Sequence, residues 1–129
     1  MNGSETLLFN LLRQGFPSHW HVMAQVSYGS FLKNDSRNAF MAINSKRADF
    51  VVLYPSLDVA AVFEYQGTGH FGNTDQSRRK AERSDAIKRR ACREAGIPLI
   101  EVAAWIDKAE ISEIVWSIKK PKKPVEDDA

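Results

Sequence analysis

Asp49-Phe50-Val51-Val52-Leu53-Tyr54, followed by Pro55-Ser56-Leu57-Asp58 and then Val59-Ala60-Ala61-Val62-Phe63-Glu64, is the stretch on which the fold turns. Both flanking runs carry β-branched and aromatic residues and are short enough for strands. Both are apolar on each face, which predicts central strands covered on both sides. The four residues between them are turn formers. A hairpin closing on Tyr54 and Val59 sets one register, and stepping back along it places Asp49 opposite Glu64. Facing residues of an antiparallel pair hold their Cβ atoms about 4.5–5.5 Å apart. Two like charges there destabilise the sheet unless something neutralises them, and a divalent cation with hard oxygen ligands does so. Period-two alternation puts Gln66 on the same face as Glu64. Three plainer arrangements stay open: Asp49 merely opens a strand, Glu64 ends one in solvent, or the two share a proton.

Working outward toward the N-terminus, Trp20 to Tyr28 alternates, with Val22, Ala24, Val26 and Tyr28 on one face of an expected strand. Before it, Ser4 is a plausible N-cap for a helix with a Leu7, Leu8, Leu11, Leu12 stripe, stopped by Gly15 and Pro17. A polar loop from Gly29 to Asn38 leads to a short helical piece around Phe40 and Ile43. Toward the C-terminus, Gly67 and Gly69 break the second strand. A basic helix then runs from about Asp75 to Ala95, with Ser84, Ile87, Ala91 and Ala95 spaced for its buried face and Gly96 at the C′ position. Pro98 to Val102 is a short strand, and strand–helix–strand favours a parallel crossover. Asp107 and Glu110 form a capping-box-like start to a last helix with Ile111, Ile114, Val115 and Ile118 on one face. The order α, β, β, β, α, β, α predicts an α/β fold, a small mixed sheet flanked by helices. Residues 1–118 read as one domain. Residues 119–129 hold four lysines, two prolines and three acids without apolar periodicity, and read as a disordered charged tail.

At 129 residues the chain has the length of one domain with a single core. Its 43% apolar and 26% charged content is that of an ordinary globular protein. No apolar run is long enough to cross a bilayer, so no membrane is expected. The first residues lack the basic region of a signal peptide, and a lone cysteine, Cys92, fits a reducing compartment; the expected location is cytoplasmic. Net charge is only +2, but Arg78, Arg79, Lys80, Arg83, Lys88, Arg89, Arg90 and Arg93 cluster against Glu82 and Asp85 alone. That is either the footprint of a phosphate backbone or a solvated helix face.

Four segments, in order, resemble the core of the PD-(D/E)XK nuclease superfamily, nearest the branch with very-short-patch-repair-type endonucleases. They are Ala48-Asp49-Phe50-Val51-Val52; Val62-Phe63-Glu64-Tyr65-Gln66-Gly67 with His70-Phe71; Asp85-Ala86-Ile87-Lys88; and Gly96-Ile97-Pro98-Leu99-Ile100. The likeness runs from about Asp49 to Val102. It implies a restriction-endonuclease-like core of αβββαβ order and a DNA endonuclease. In it Asp49 and Glu64 bind Mg2+ (or Mn2+), which polarises the scissile phosphate and lowers the pKa of an attacking water. The last motif position, normally lysine, is Gln66 here. An amide orients water by hydrogen bonding but takes no proton at neutral pH.

Candidates for the missing base or ammonium are His70, whose ordinary pKa suits proton transfer, and Lys88, one helical turn from Asp85. Lys46 is second to Lys88. Glu5, on the first helix, and Asp85 are candidate supporting acids. Arg78, Arg79, Lys80 and Arg83 are the expected phosphate contacts, with Arg89, Arg90 and Arg93 able to join from another face. A second reading is an inactive nuclease fold that binds DNA or a protein partner, and Gln66 is its support. Self-association is left open. A zinc or cysteine enzyme built on His19, His21 and His70 or on Cys92 ranks below both.

Overall fold

The hairpin's register places two acidic side chains at one end of a four-stranded sheet. The computed structural model describes residues 3–32, 43–66, 74–104 and 106–121. Its elements are helix α1 (Gly3–Gly15), strand β1 (His21–Ser27), a 3₁₀ turn (Tyr28–Ser30), strands β2 (Arg47–Leu53) and β3 (Val59–Gln66), helix α2 (Asp75–Glu94), strand β4 (Leu99–Ala103) and helix α3 (Lys108–Lys119). Among the described residues no helix is long and apolar enough to cross a membrane. The fold is α/β. The sheet order is β1-β2-β3-β4, antiparallel except for the β3–β4 pair, so the sheet is mixed and the expected central strands are central.

Each sheet face has its own core. On one, Leu8 and Leu12 of α1 and Ile111 and Val115 of α3 bury Phe50, Val52, Ala61, Phe63 and Val102. On the other, Cys92 of α2 joins Tyr28, Leu32, Ile43, Ala48, Val51 and Val62. Phe50, Val52, Ala61, Val62 and Phe63 are fully buried, as expected of runs apolar on both faces. The helix ends follow local chemistry. Thr74 caps α2 by accepting the Ser77 N–H at 3.0 Å, and Asp107 caps α3 by accepting the Glu110 N–H at 2.8 Å. At the far end of α2, Gly96 (φ 70°) and Ile97 donate their N–H groups to the Arg93 and Cys92 carbonyls, a Schellman closure that turns the chain into β4.

Several expectations are corrected. Ser4 lies inside α1, which begins at Gly3. Tyr28 leaves the β1 ladder and opens the 3₁₀ turn. The hairpin does not close on Tyr54 and Val59. Tyr54 instead donates its N–H to the Asp58 carbonyl across a three-residue loop, with Leu57 left-handed at φ 75°. Leu53 then faces Val59 and Val52 faces Ala61, so Ala60 is a bulge. The two departures cancel, and beyond the bulge the register is the expected one. On α2 the expected Ala95 is exposed. The inward stripe is instead Asp85, Lys88 and Cys92, beside half-buried Ser84, Ile87 and Ala91. The helical piece expected around Phe40 lies outside the described residues, though Ile43 is buried in the core. Lys119, expected to open the tail, instead ends α3 and donates its Nζ to the Gly15 carbonyl at 3.1 Å, and the expected tail lies outside the described residues from residue 122.

Candidate metal centre

Asp49 and Glu64 meet where the sheet begins to splay. The β2–β3 ladder runs to Phe50–Phe63. One step further Tyr65 donates its backbone N–H to the Asp49 side chain, Oδ2, at 2.8 Å instead of to a β2 carbonyl. β3 keeps its pairing with β4 here, Glu64 beside Glu101 and Gln66 beside Ala103. Asp49 therefore leans toward β3, close enough to Glu64 for the two carboxyl groups to interact directly. On its other flank lies Gln25 of β1, whose φ of 55° is rare for a residue with a side chain and breaks the β1 extension opposite Asp49. Its amide approaches Asp49 Oδ1 at 3.5 Å, at the limit of a hydrogen bond.

Glu64 is the buried member of the pair, 6% exposed. The Tyr28 hydroxyl donates to its Oε1 at 2.5 Å, and Lys88 Nζ stands 3.2 Å from the same oxygen. The Lys88 ammonium also lies 5.6 Å from the centre of the Tyr28 ring, within cation–π range. Burial pushes the Glu64 carboxyl up to about 7; the Tyr28 hydrogen bond and Lys88 pull it down, and Asp49 pushes it up again. Tyr28 is fully buried, and burial together with the charge and hydrogen bond of Glu64 holds its phenol well above the ordinary range, so it remains a donor. The Lys88 ammonium thus faces Glu64, and Asp49 adds a second carboxyl group beside it.

The other expected site residues fall in distinct places. Gln66 does not turn toward the carboxylate pair. Its amide donates to Glu101 Oε2 at 3.1 Å, and Glu101 is also held by Arg89 through both guanidinium branches, the Nη2 contact at 2.7 Å. Arg89 is therefore engaged at β4, and Arg90 pairs with Glu94 along the helix at 3.0 Å. Asp85 is buried, 7% exposed, and its charge acts on Arg89. Lys46 precedes β2, its carbonyl accepting the Tyr28 N–H at 2.9 Å. Glu5 is half-buried in the first turn of α1, a helix of the opposite sheet face. Arg78, Arg79, Lys80 and Arg83 are all exposed on the N-terminal half of α2, which stands clear of the core. His70 lies outside the described residues. His19 and His21 are exposed, and burial, with the Glu64 charge, pushes the Cys92 thiol up to about 11, which leaves it an inert core residue.

Sequence reasoning missed Tyr28 and Gln25. A tyrosine ending an alternating strand does signal an apolar body with a polar tip in need of a partner. Nothing in the sequence marks the left-handed Gln25. Among the described residues no group of three or more His, Cys, Asp or Glu side chains is placed to hold a metal. The pair still suits a hard ion such as Mg2+, which is commonly held by one or two carboxylates, with water and substrate phosphate completing its shell.

The fold and site define a small α/β domain with a carboxylate pair and an inward-facing lysine at one end of a mixed sheet. The chain belongs to the family described as "Protein of unknown function (DUF2726)", whose model matches residues 1–120. An uncharacterized protein of Haemophilus influenzae is 37% identical over 124 residues, covering 93% of this chain and 62% of its own length. The uncharacterized protein y4bI of Sinorhizobium fredii is 33% identical over 108 residues, covering 82% of this chain and 74% of its own. The chain thus spans 62% of the first of these relatives. No solved structure gives a significant match.

Proposed function

We propose that this chain is a metal-dependent DNA endonuclease with a restriction-endonuclease-like core, in which Asp49 and Glu64 hold Mg2+ or Mn2+ and Lys88 takes the place of the motif lysine. The observation that carries the reading is the Lys88 ammonium, 3.2 Å from Glu64 and delivered from α2 rather than from β3. Gln66 stands where the motif calls for an ammonium, and α2 supplies one to Glu64. When bound, the ion polarises a phosphate oxygen and makes a metal-held water more acidic.

The chain's own residues account for the remaining work. Asp49 and Glu64 present crowded oxygens, and a cation held between them would offset their mutual repulsion. Lys88 is a compact point charge with three donors, able to hold the attacking water or a phosphate oxygen while still offsetting Glu64. Arg78, Arg79, Lys80 and Arg83 offer phosphate contacts that position a duplex without reading its sequence.

The test is plasmid cleavage with Mg2+ or Mn2+ by the wild type and by Asp49→Ala, Glu64→Ala, Lys88→Ala and Gln66→Lys. Cleavage by the wild type that the three alanine changes each abolish supports the enzyme. The specific rival is a lapsed nuclease fold that binds DNA or a protein partner, favoured by the engagement of Gln66 with Glu101 rather than with the carboxylate pair. Absence of cleavage by the wild type, with activity appearing in Gln66→Lys, decides for that rival.

A further inference from the structure

We propose that Tyr28 is a positioning residue of this site, its hydroxyl fixing the Glu64 carboxylate for the metal and its ring holding Lys88 beside it. This deepens the metal-site reading above and rests on it. Tyr28 reaches the site from a separate part of the chain, 36 residues before Glu64, and is fully buried. Its backbone is fixed independently. The Tyr28 N–H donates to the Lys46 carbonyl at 2.9 Å, and the Tyr28 carbonyl accepts the Leu32 N–H at 2.9 Å. Gly29, next in the chain, packs so closely on Asn44 that a Cβ there would stand 2.9 Å from the Asn44 Cβ. The phenol is therefore a fixed donor rather than a side chain that happens to rest nearby.

Its partner needs such a donor. Glu64 has both Tyr28 and Lys88 on Oε1. Without the hydroxyl, the carboxylate is free to rotate toward the ammonium and close a tighter ion pair, with its oxygens turned away from Asp49. The hydroxyl, donating to one oxygen, sets the rotation of the carboxylate and leaves the ammonium only a partial claim on it. The ring, 5.6 Å from Nζ, keeps the ammonium near without neutralising it. Partners of this kind orient metal-binding carboxylates, and their loss typically weakens metal affinity or activity about 10–100-fold.

Tyr28→Phe removes the hydroxyl and keeps the ring. Mn2+ binding followed by electron paramagnetic resonance, with no DNA present, is compared for wild type, Tyr28→Phe and Asp49→Ala. The expected result is binding by the wild type, loss in Asp49→Ala, and about 10–100-fold weaker binding in Tyr28→Phe. Equal Mn2+ affinity for wild type and Tyr28→Phe, with Asp49→Ala still deficient, overturns the role of Tyr28 and leaves the metal site standing. No Mn2+ binding by the wild type overturns both. A second measurement does not depend on the folding of Tyr28→Phe: the wild-type Tyr28 hydroxyl proton should resonate far downfield, move on addition of Mg2+, and stay in place in Asp49→Ala. A hydroxyl signal indifferent to Mg2+ in the wild type counts against the proposal.

Discussion

The Asp49 carboxylate accepts the Tyr65 backbone N–H at 2.8 Å where the β2–β3 ladder gives out. A side chain standing in for a strand carbonyl satisfies the amide of a splaying strand and aims the carboxylate at its neighbour, Glu64. The same bond that ends the ladder thus builds the carboxylate pair, and the pair is held together against its own repulsion by backbone geometry. Asp49 thus serves as a backbone acceptor and as a repulsive neighbour at once.

Asp49→Asn should therefore stabilise the metal-free protein. The asparagine carbonyl still accepts from Tyr65, the repulsion with Glu64 disappears, and the new amide has a carboxylate to donate to. The expected gain at pH 8 is roughly 1 kcal/mol in urea denaturation, with Mn2+ binding and cleavage lost. Asp49→Ala also removes the repulsion but leaves the Tyr65 N–H without its acceptor, and should lie about 1–2 kcal/mol below Asp49→Asn. An alanine variant as stable as the asparagine variant would show that the Tyr65 bond contributes nothing.

The raised Glu64 carboxyl predicts a specific pH dependence of folding. Its pKa rises from 4.5 to about 7, chiefly through burial. Below pH 4.5 the group is protonated in both the folded and unfolded chain and costs nothing. As pH climbs from 4.5 to about 7 the unfolded chain ionises first and is favoured, so this contribution to stability falls and is gone above the folded pKa. The loss is on the order of 3 kcal/mol. Glu64→Gln removes it. The difference in melting temperature, wild type minus Glu64→Gln, should decline across that window without metal and flatten above it; a difference constant from pH 4.5 to 8 contradicts the assignment.

Much of this arrangement was legible from the sequence, and the exceptions share a cause. The two central strands, the parallel crossover and the α3 cap are local signals that the fold obeys. The expected register holds as far as Phe50–Phe63 despite an incorrect hairpin end, because a shorter loop and the Ala60 bulge offset one another, and it leaves Asp49 and Glu64 as neighbours; turn residues fix that a turn exists, not where the ladder slips. The phase of α2 was misread at Ala95 because an apolar stripe is blind to buried charge. Lys88 faces inward because Glu64 lies on that sheet face, not because of hydropathy, and Asp85 is buried one turn before it. Tyr28 depends on a contact 36 residues away that no local pattern encodes. The Gln66 position was identified by resemblance, but its engagement with Glu101 follows from β3 and β4 pairing in parallel.

Lys88→Met tests the charge balance. The side chains of Lys88 and Glu64 are 14% and 8% exposed, so removing the ammonium leaves a buried carboxylate beside Asp49 with no ion-pair partner among the described residues. At pH 8 the expected destabilisation is about 3 kcal/mol. Adding Glu64→Gln should recover most of it, since the stranded charge is then gone, and the double variant should be more stable than Lys88→Met alone. Thermal melts of the four proteins give the coupling. Additive effects would mean that the two groups do not act on each other.

The exposed basic half of α2 makes a different prediction, since Arg78, Arg79, Lys80 and Arg83 stand in solvent and bury nothing. Replacing them by alanine should leave the melting temperature nearly unchanged, as surface substitutions do. If each neutralises one phosphate, each replacement lowers the slope of log affinity against log salt for duplex DNA by about 1. Arg89→Ala should behave in the opposite way. Its guanidinium is held by Glu101, so the change loosens α2 from β4 and lowers stability while leaving the salt slope of DNA binding where it was. Fluorescence anisotropy from 50 to 200 mM salt separates the two groups. A fall in slope for Arg89→Ala equal to that for Arg79→Ala would place the phosphate track across the sheet edge rather than along the free half of the helix.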